Sequence, residues 1–99
     1  MSQTTLHTLN KAPNSHSALW HSCLAAIKPD DTLLLIEDGV YALASSTQLL
    51  NHNQATSVLY LKADVEARGL HTFTSPSQLI SDKQFVELSC SHHKVVSWF

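Results

Sequence analysis

Thr32-Leu33-Leu34-Leu35-Ile36-Glu37-Asp38-Gly39 is the stretch whose reading decides the fold. A β-branched residue followed by four aliphatic ones leaves no polar face, so both sides of this strand must be covered. That is the pattern of a central strand in a parallel sheet. The Glu37-Asp38-Gly39 that follows then lies at the strand's carboxyl end, where open α/β sheets gather functional groups.

Upstream, Trp20, Cys23, Leu24 and Ile27 fall at i, i+3, i+4 and i+7. This spacing predicts a helix that leaves a loop at Asn10–Ser15 and runs to about Ile27, with Pro29 ending it. Thr4–Leu9 reads as a first strand. Downstream, Asp38 is placed to cap a helix carrying Val40, Leu43, Ala44, Thr47 and Leu50. Ser57–Leu61 is a second buried strand. A short helix is expected from Asp64, as its cap, to Arg68, with Gly69 just past its end. Ser77–Ile80 suggests a short strand. Ser81 and Gln84 form a capping box that opens a helix carrying Phe85, Val86 and Leu88. His92-His93-Lys94 suits that helix's C-terminal turn, and Val95–Phe99 reads as a last strand. Strands alternating with helices imply parallel pairing through crossovers. The expectation is one α/β domain over residues 1–99, a mostly parallel sheet flanked by helices.

Composition narrows the function classes. The chain has 99 residues, six Lys or Arg, eight Asp or Glu and a formal charge of −2. Six scattered basic residues make no phosphate-neutralising patch, so direct nucleic-acid binding is not expected. The two glycines, Gly39 and Gly69, are thirty residues apart, which excludes a phosphate-cradling loop. Only 14% of residues are charged, against about 25% in an ordinary soluble domain. An uncharged polar surface of this kind suits a protein partly covered by partners. Met1–Thr5 lacks a basic and an apolar signal region, and no apolar run approaches a membrane span. Two cysteines make no disulfide framework, so the expected compartment is the cytoplasm.

Four segments occur in a telling order: Leu6-His7-Thr8-Leu9-Asn10-Lys11-Ala12-Pro13, Leu33-Leu34-Leu35-Ile36-Glu37-Asp38-Gly39-Val40-Tyr41-Ala42, Ala67-Arg68-Gly69-Leu70 and a terminal Ser97-Trp98. In these the chain resembles the TusB/DsrH family over nearly its whole length. The resemblance implies a DsrE-like α/β fold and a place in a heterohexamer with TusC-like and TusD-like chains, or DsrF-like and DsrE-like ones. In the Tus form the assembly passes persulfide sulfur from a TusA-like to a TusE-like carrier for 2-thiolation of the tRNA wobble uridine. In the Dsr form it serves dissimilatory sulfur oxidation. The principal sulfur-carrying cysteine belongs to the TusD-like or DsrE-like partner. DsrH-type members carry a cysteine in the first helix, and Cys23 falls at that place.

Cys23 is therefore the one candidate catalytic residue, as an auxiliary persulfide site. Sulfur relay needs an accessible thiolate near a helix N-terminus or a cation. Cys23 lies two turns into its helix, on the apolar stripe, where a free cysteine is usually a small buried hydrophobe. His21, two residues away, diverges from it on a helix. Cys90 lies near a helix C-terminus, which disfavours a thiolate. The crowding of Cys90, His92 and His93 matches no tetrahedral zinc spacing, so no metal and no cofactor are expected. His7 reads as a geometry-fixing residue, Asp38 as a helix cap and Gly39 as a tight-turn residue. Trp98-Phe99 suits either the home sheet or a partner. The readings are an accessory subunit of a sulfurtransferase complex, a thiol sulfurtransferase in its own right using Cys23, or an oligomerising domain unconnected with sulfur.

Overall fold

The computed structural model describes residues 3–44 and 57–99. Its elements in chain order are β1 (Thr5–Leu9), α1 (Ser17–Ala26), β2 (Thr32–Leu35), a 3-10 helix (Glu37–Ala44), β3 (Ser57–Leu61), α2 (Lys62–Ala67), two short 3-10 turns (His71–Phe73 and Pro76–Gln78), β4 (Leu79–Ile80), α3 (Asp82–Ser91) and β5 (Lys94–Trp98). The strands form one sheet in the order β4-β3-β2-β1-β5. Every pairing is parallel. β2 sits at the centre with all four residues buried, as its unbroken apolar run requires.

Register sorts the side chains into two layers, because partnered residues share a face and successive ones alternate. Leu9, Leu35 and Tyr60 are aligned across β1, β2 and β3. With Leu33 they meet Trp20 and Cys23 from α1, Ile27 just past its end, Val40 and Ala42 from the 3-10 helix, and Val65 from α2. The opposite face carries Leu6, Leu34, Leu61 and Ile80, against which Phe85 and Leu88 of α3 pack. The chain steps from β1 outward to β4, then returns through α3 to β5 on the far side of β1. Right-handed crossovers in opposite directions put α1 and α3 on opposite faces.

The ends of the helices follow local chemistry with two exceptions. Ser81 Oγ accepts from the Gln84 N–H, and the Gln84 side chain accepts from the Ser81 N–H, closing the expected capping box. After α2, Gly69 takes φ 66°. The Gly69 N–H donates to Glu66 O and the Leu70 N–H to Val65 O, a Schellman closure that buries Leu70. α2, however, starts at Lys62 straight off β3 with Leu61 at its N-cap. Asp64 is not the cap, because its carboxylate accepts from the Glu37 N–H at 2.7 Å.

The segment after β2 also differs from expectation. It is a 3-10 helix in which Asp38 is the second residue rather than the cap, and the Asp38 carboxylate accepts from Arg68. The left-handed residue of the turn is Glu37, at φ 47°, not Gly39. The Gly39 N–H then donates to Ile36 O at 2.8 Å, tightening the turn to the i→i−3 pattern. Thr47 and Leu50, expected on the same helix, lie outside the described residues. At the C-terminal side, β4 is shorter than expected and β5 starts at Lys94.

Candidate functional site

The thiol singled out from sequence lies in the core. Cys23 is fully buried among Leu9, Trp20, Leu33 and Val40. Burial pushes its thiol up to about 12, so at neutral pH it stays protonated and is no attacking group as placed. The nearest histidine in sequence, His21, is exposed and donates from Nδ1 to the Ser17 carbonyl at 2.8 Å. Cys90 is exposed on α3. We expect one fast-reacting thiol in the native chain and two after denaturation, with tryptic mapping of an alkylating label placing the fast one at Cys90. Rapid native labelling of Cys23 would show that α1 opens readily.

At the carboxyl ends of β2 and β3 the structure joins segments that are far apart in sequence. Arg68 Nε and Nη2 both donate to Asp38 Oδ1, at 3.2 and 3.0 Å. Arg68 Nη1 lies 3.6 Å from Asp64 Oδ1, and the guanidinium sits 5.8 Å from the Tyr41 ring centroid. The Glu37-Asp38-Gly39-Val40-Tyr41 and Ala67-Arg68-Gly69 segments thus meet through one arginine. Its planar fork suits two carboxylates and a ring face at once. Asp38 is largely exposed, so its pair with Arg68 contributes under about 1 kcal/mol. Beside it, Asn10 at the end of β1 keeps Oδ1 buried with no hydrogen-bond partner among the described residues.

At the opposite end of the sheet is a constellation the sequence did not single out. His7 and Asp31 are both buried, at 4% exposure each. His7 Nε2 lies 2.9 Å from Asp31 Oδ2, and the Trp98 indole N–H donates to His7 Nδ1 at 3.1 Å. An indole nitrogen can only donate, so Nδ1 is the bare acceptor and Nε2–H donates to Asp31. Asp31 also accepts from the backbone N–H groups of Thr5 and Lys28, both at 3.0 Å. His7 does fix geometry, as expected, but of two strand entries and the last strand rather than of a loop. Trp98 packs on the home core, whereas Phe99 is 81% exposed. The two residues of that pair therefore part company. A signal for the missed site existed: a histidine on a buried strand needs a partner. Which of eight acidic residues supplies it is not encoded locally.

Burial pushes the Asp31 carboxyl up, but the Lys28, His7 and Thr5 N–H groups outweigh it and hold its pKa below the ordinary carboxylate value. A depressed folded value means that the ionised form stabilises the fold. That contribution is complete above the unfolded value of about 4 and is lost as pH falls through the lowered folded value. We expect Asp31→Asn to cost about 2–3 kcal/mol at pH 7 and to flatten the acid limb of the stability curve, measured by urea unfolding at stepped pH. An acid limb identical to that of the unsubstituted chain would remove Asp31 from this role.

The DsrH-like protein model matches residues 11–95, from the loop after β1 through α3 into β5. The chain belongs to the DsrH-like family. Among curated DsrH-like relatives, TusB of Pectobacterium parmentieri is 32% identical over 96 residues, covering 94% of this chain and 99% of the relative. TusB of Yersinia enterocolitica is 37% identical over 92 residues, covering 85% and 95%. TusB of Enterobacter sp. strain 638 is 32% identical over 100 residues, covering 94% and 99%. The DsrH-like match spans the Asp38–Arg68 cluster, Cys23 and Asp31, and stops short of Trp98. No helix among the described residues of this DsrH-like chain is long and apolar enough to cross a membrane.

Proposed function

We propose that this chain is a TusB-type accessory subunit of a sulfur-relay assembly that supplies persulfide sulfur for 2-thiolation of the tRNA wobble uridine. The observation that carries the reading is its likeness to TusB chains end to end, at matching length. The burial of Cys23 supports a division of labour in which the reactive cysteine sits on a TusD-like sister chain. Exposed Phe73, Val86, Val95 and Phe99 supply apolar surface for sister chains to cover, in keeping with the low charge. In this reading the chain works in the cytoplasm, in a heterohexamer with TusC-like and TusD-like subunits. It meets TusA-like and TusE-like carriers only through that assembly and needs no nucleic-acid contact of its own. The DsrH-like family match also fits a second reading, a DsrEFH-type assembly in dissimilatory sulfur oxidation.

The test is co-expression with the sister chains, purification of the assembly, and persulfide mapping by mass spectrometry after loading by a persulfidated carrier. We expect stable co-purification, label on the sister cysteine, unchanged transfer in Cys23→Ser, and loss of 2-thiouridine from tRNA when this chain is deleted. Label on Cys23, with transfer lost in Cys23→Ser, would make the chain a sulfur carrier instead. Intact 2-thiouridine after deletion, with sulfur oxidation lost, would place it in the second reading.

A further inference from the structure

We propose that the Trp98–His7–Asp31 chain is a proton-sensitive latch: protonation of His7 breaks its hydrogen bond to the Trp98 indole. The inference stands on geometry and holds whichever sulfur pathway the chain serves. His7 is clamped between two partners of opposite demand. Asp31 Oδ2 accepts the Nε2 proton at 2.9 Å, and the indole N–H donates to the bare Nδ1 at 3.1 Å. A second proton can only go to Nδ1. There it meets the indole N–H, donor against donor, and the hydrogen bond that holds Trp98 is lost. The imidazolium meanwhile keeps Asp31, whose ionised form is held by two backbone N–H groups. The break therefore falls between His7 and Trp98, not between His7 and Asp31.

Solvent reaches this point. His7, Asp31 and Trp98 line a cavity of about 300 Å³ whose other charged or titratable lining groups are Lys28, His93 and Lys94. The two lysines and a protonated His93 oppose a proton on His7, and Asp31 favours it. Among the described residues, β5 lies at the sheet edge and pairs with β1. His92 provides the contrast. Its Nδ1–H donates to the Leu88 carbonyl, and its Nε2 faces the Thr32 hydroxyl at 2.9 Å. A hydroxyl can donate or accept, so protonation of His92 breaks nothing. Trp20 provides the internal reference, since its indole N–H donates to the Lys11 carbonyl, which does not titrate.

The test is side-chain nitrogen NMR on the labelled full-length chain, stepped from pH 8 to pH 5, the interval in which imidazole charges. At the upper end, Nε2 of His7 should carry the proton and Nδ1 should not. On lowering the pH, the Trp98 indole resonance should move with the same midpoint as the His7 ring, while the Trp20 indole resonance stays. Trp98→Phe keeps an aromatic ring but has no N–H, and should raise the His7 midpoint by about one pH unit, equivalent to about 1.4 kcal/mol. A Trp98 resonance that stays fixed while His7 titrates overturns the latch. So does a His7 that remains uncharged down to acid unfolding, or an unchanged midpoint in Trp98→Phe. The first two outcomes need no variant.

Discussion

Trp20→Ala is expected to leave little folded protein at 37 °C. Trp20 is fully exposed to the core and not at all to solvent, at the centre of the larger apolar cluster. It touches the layer built from Leu9, Leu33 and Leu35, and through it α1 is fastened to the sheet. Truncating a buried tryptophan to alanine costs about 3–5 kcal/mol in lost transfer energy and cavity. The Lys11 carbonyl also loses the indole donor at 2.7 Å, adding about 1 kcal/mol. A domain of this size has about 5–15 kcal/mol in all. At roughly 4–8 °C per kcal/mol, the melting temperature should fall by roughly 15–50 °C. Trp20→Phe restores most of the volume and should cost only about 1–2 kcal/mol. Urea unfolding followed by circular dichroism checks both. An alanine variant within 1 kcal/mol of the parent, on the order of a surface substitution, would mean that α1 is not held by this residue.

Gly39→Ala should cost about 3–4 kcal/mol, an unusually large effect for one added methyl group. A Cβ at Gly39 would fall well inside contact distance of the Leu9 carbonyl oxygen. That oxygen belongs to backbone and is already engaged, because it accepts from the Ile36 N–H at 3.2 Å. Neither side can swing away as a flexible side chain would. Relief means pushing the 3-10 helix off the end of β1, which opens the β1–β2 ladder and the apolar layer beneath Val40. Gly69→Ala is the informative comparison. Nothing lies within 4 Å of its missing Cβ, and only its positive φ of 66° objects, so about 1 kcal/mol is expected. Thermal unfolding of the two variants separates a packing requirement from a conformational one. Equal losses would refute the close-approach account of Gly39.

Features carried by local pattern were legible in the sequence. Four aliphatic residues in a row placed β2 at the centre of a parallel sheet. The Trp20 and Cys23 spacing named the buried face of α1. Ser81 with Gln84, and Gly69 past α2, marked helix ends through hydrogen bonds that close within a few residues. The same stripe argument placed Cys23 indoors, against its appeal as a thiol. Asp38 and Asp64 were misread as caps for a reason of the same kind. A carboxylate near a helix start is a good local cap, but Arg68, thirty residues from Asp38, and the Glu37 N–H, twenty-seven from Asp64, compete successfully for them.

The sequence by itself determined which segments are strands and helices, which faces they bury, and that the sheet is parallel. The first two follow from apolar patterning within one segment, and the parallel sheet from strands alternating with helices. Only the tertiary structure decided which polar groups meet. His7 finds Asp31 twenty-four residues away and Trp98 ninety-one away. It does so because β1 lies between β2 and β5, and because register puts His7 and Trp98 on one face. Periodicity reports burial, which is non-directional and needs no named partner. A hydrogen bond needs one donor and one acceptor within about 3 Å. Strand order and register alone bring those together, since closing a longer loop costs little more than closing a short one.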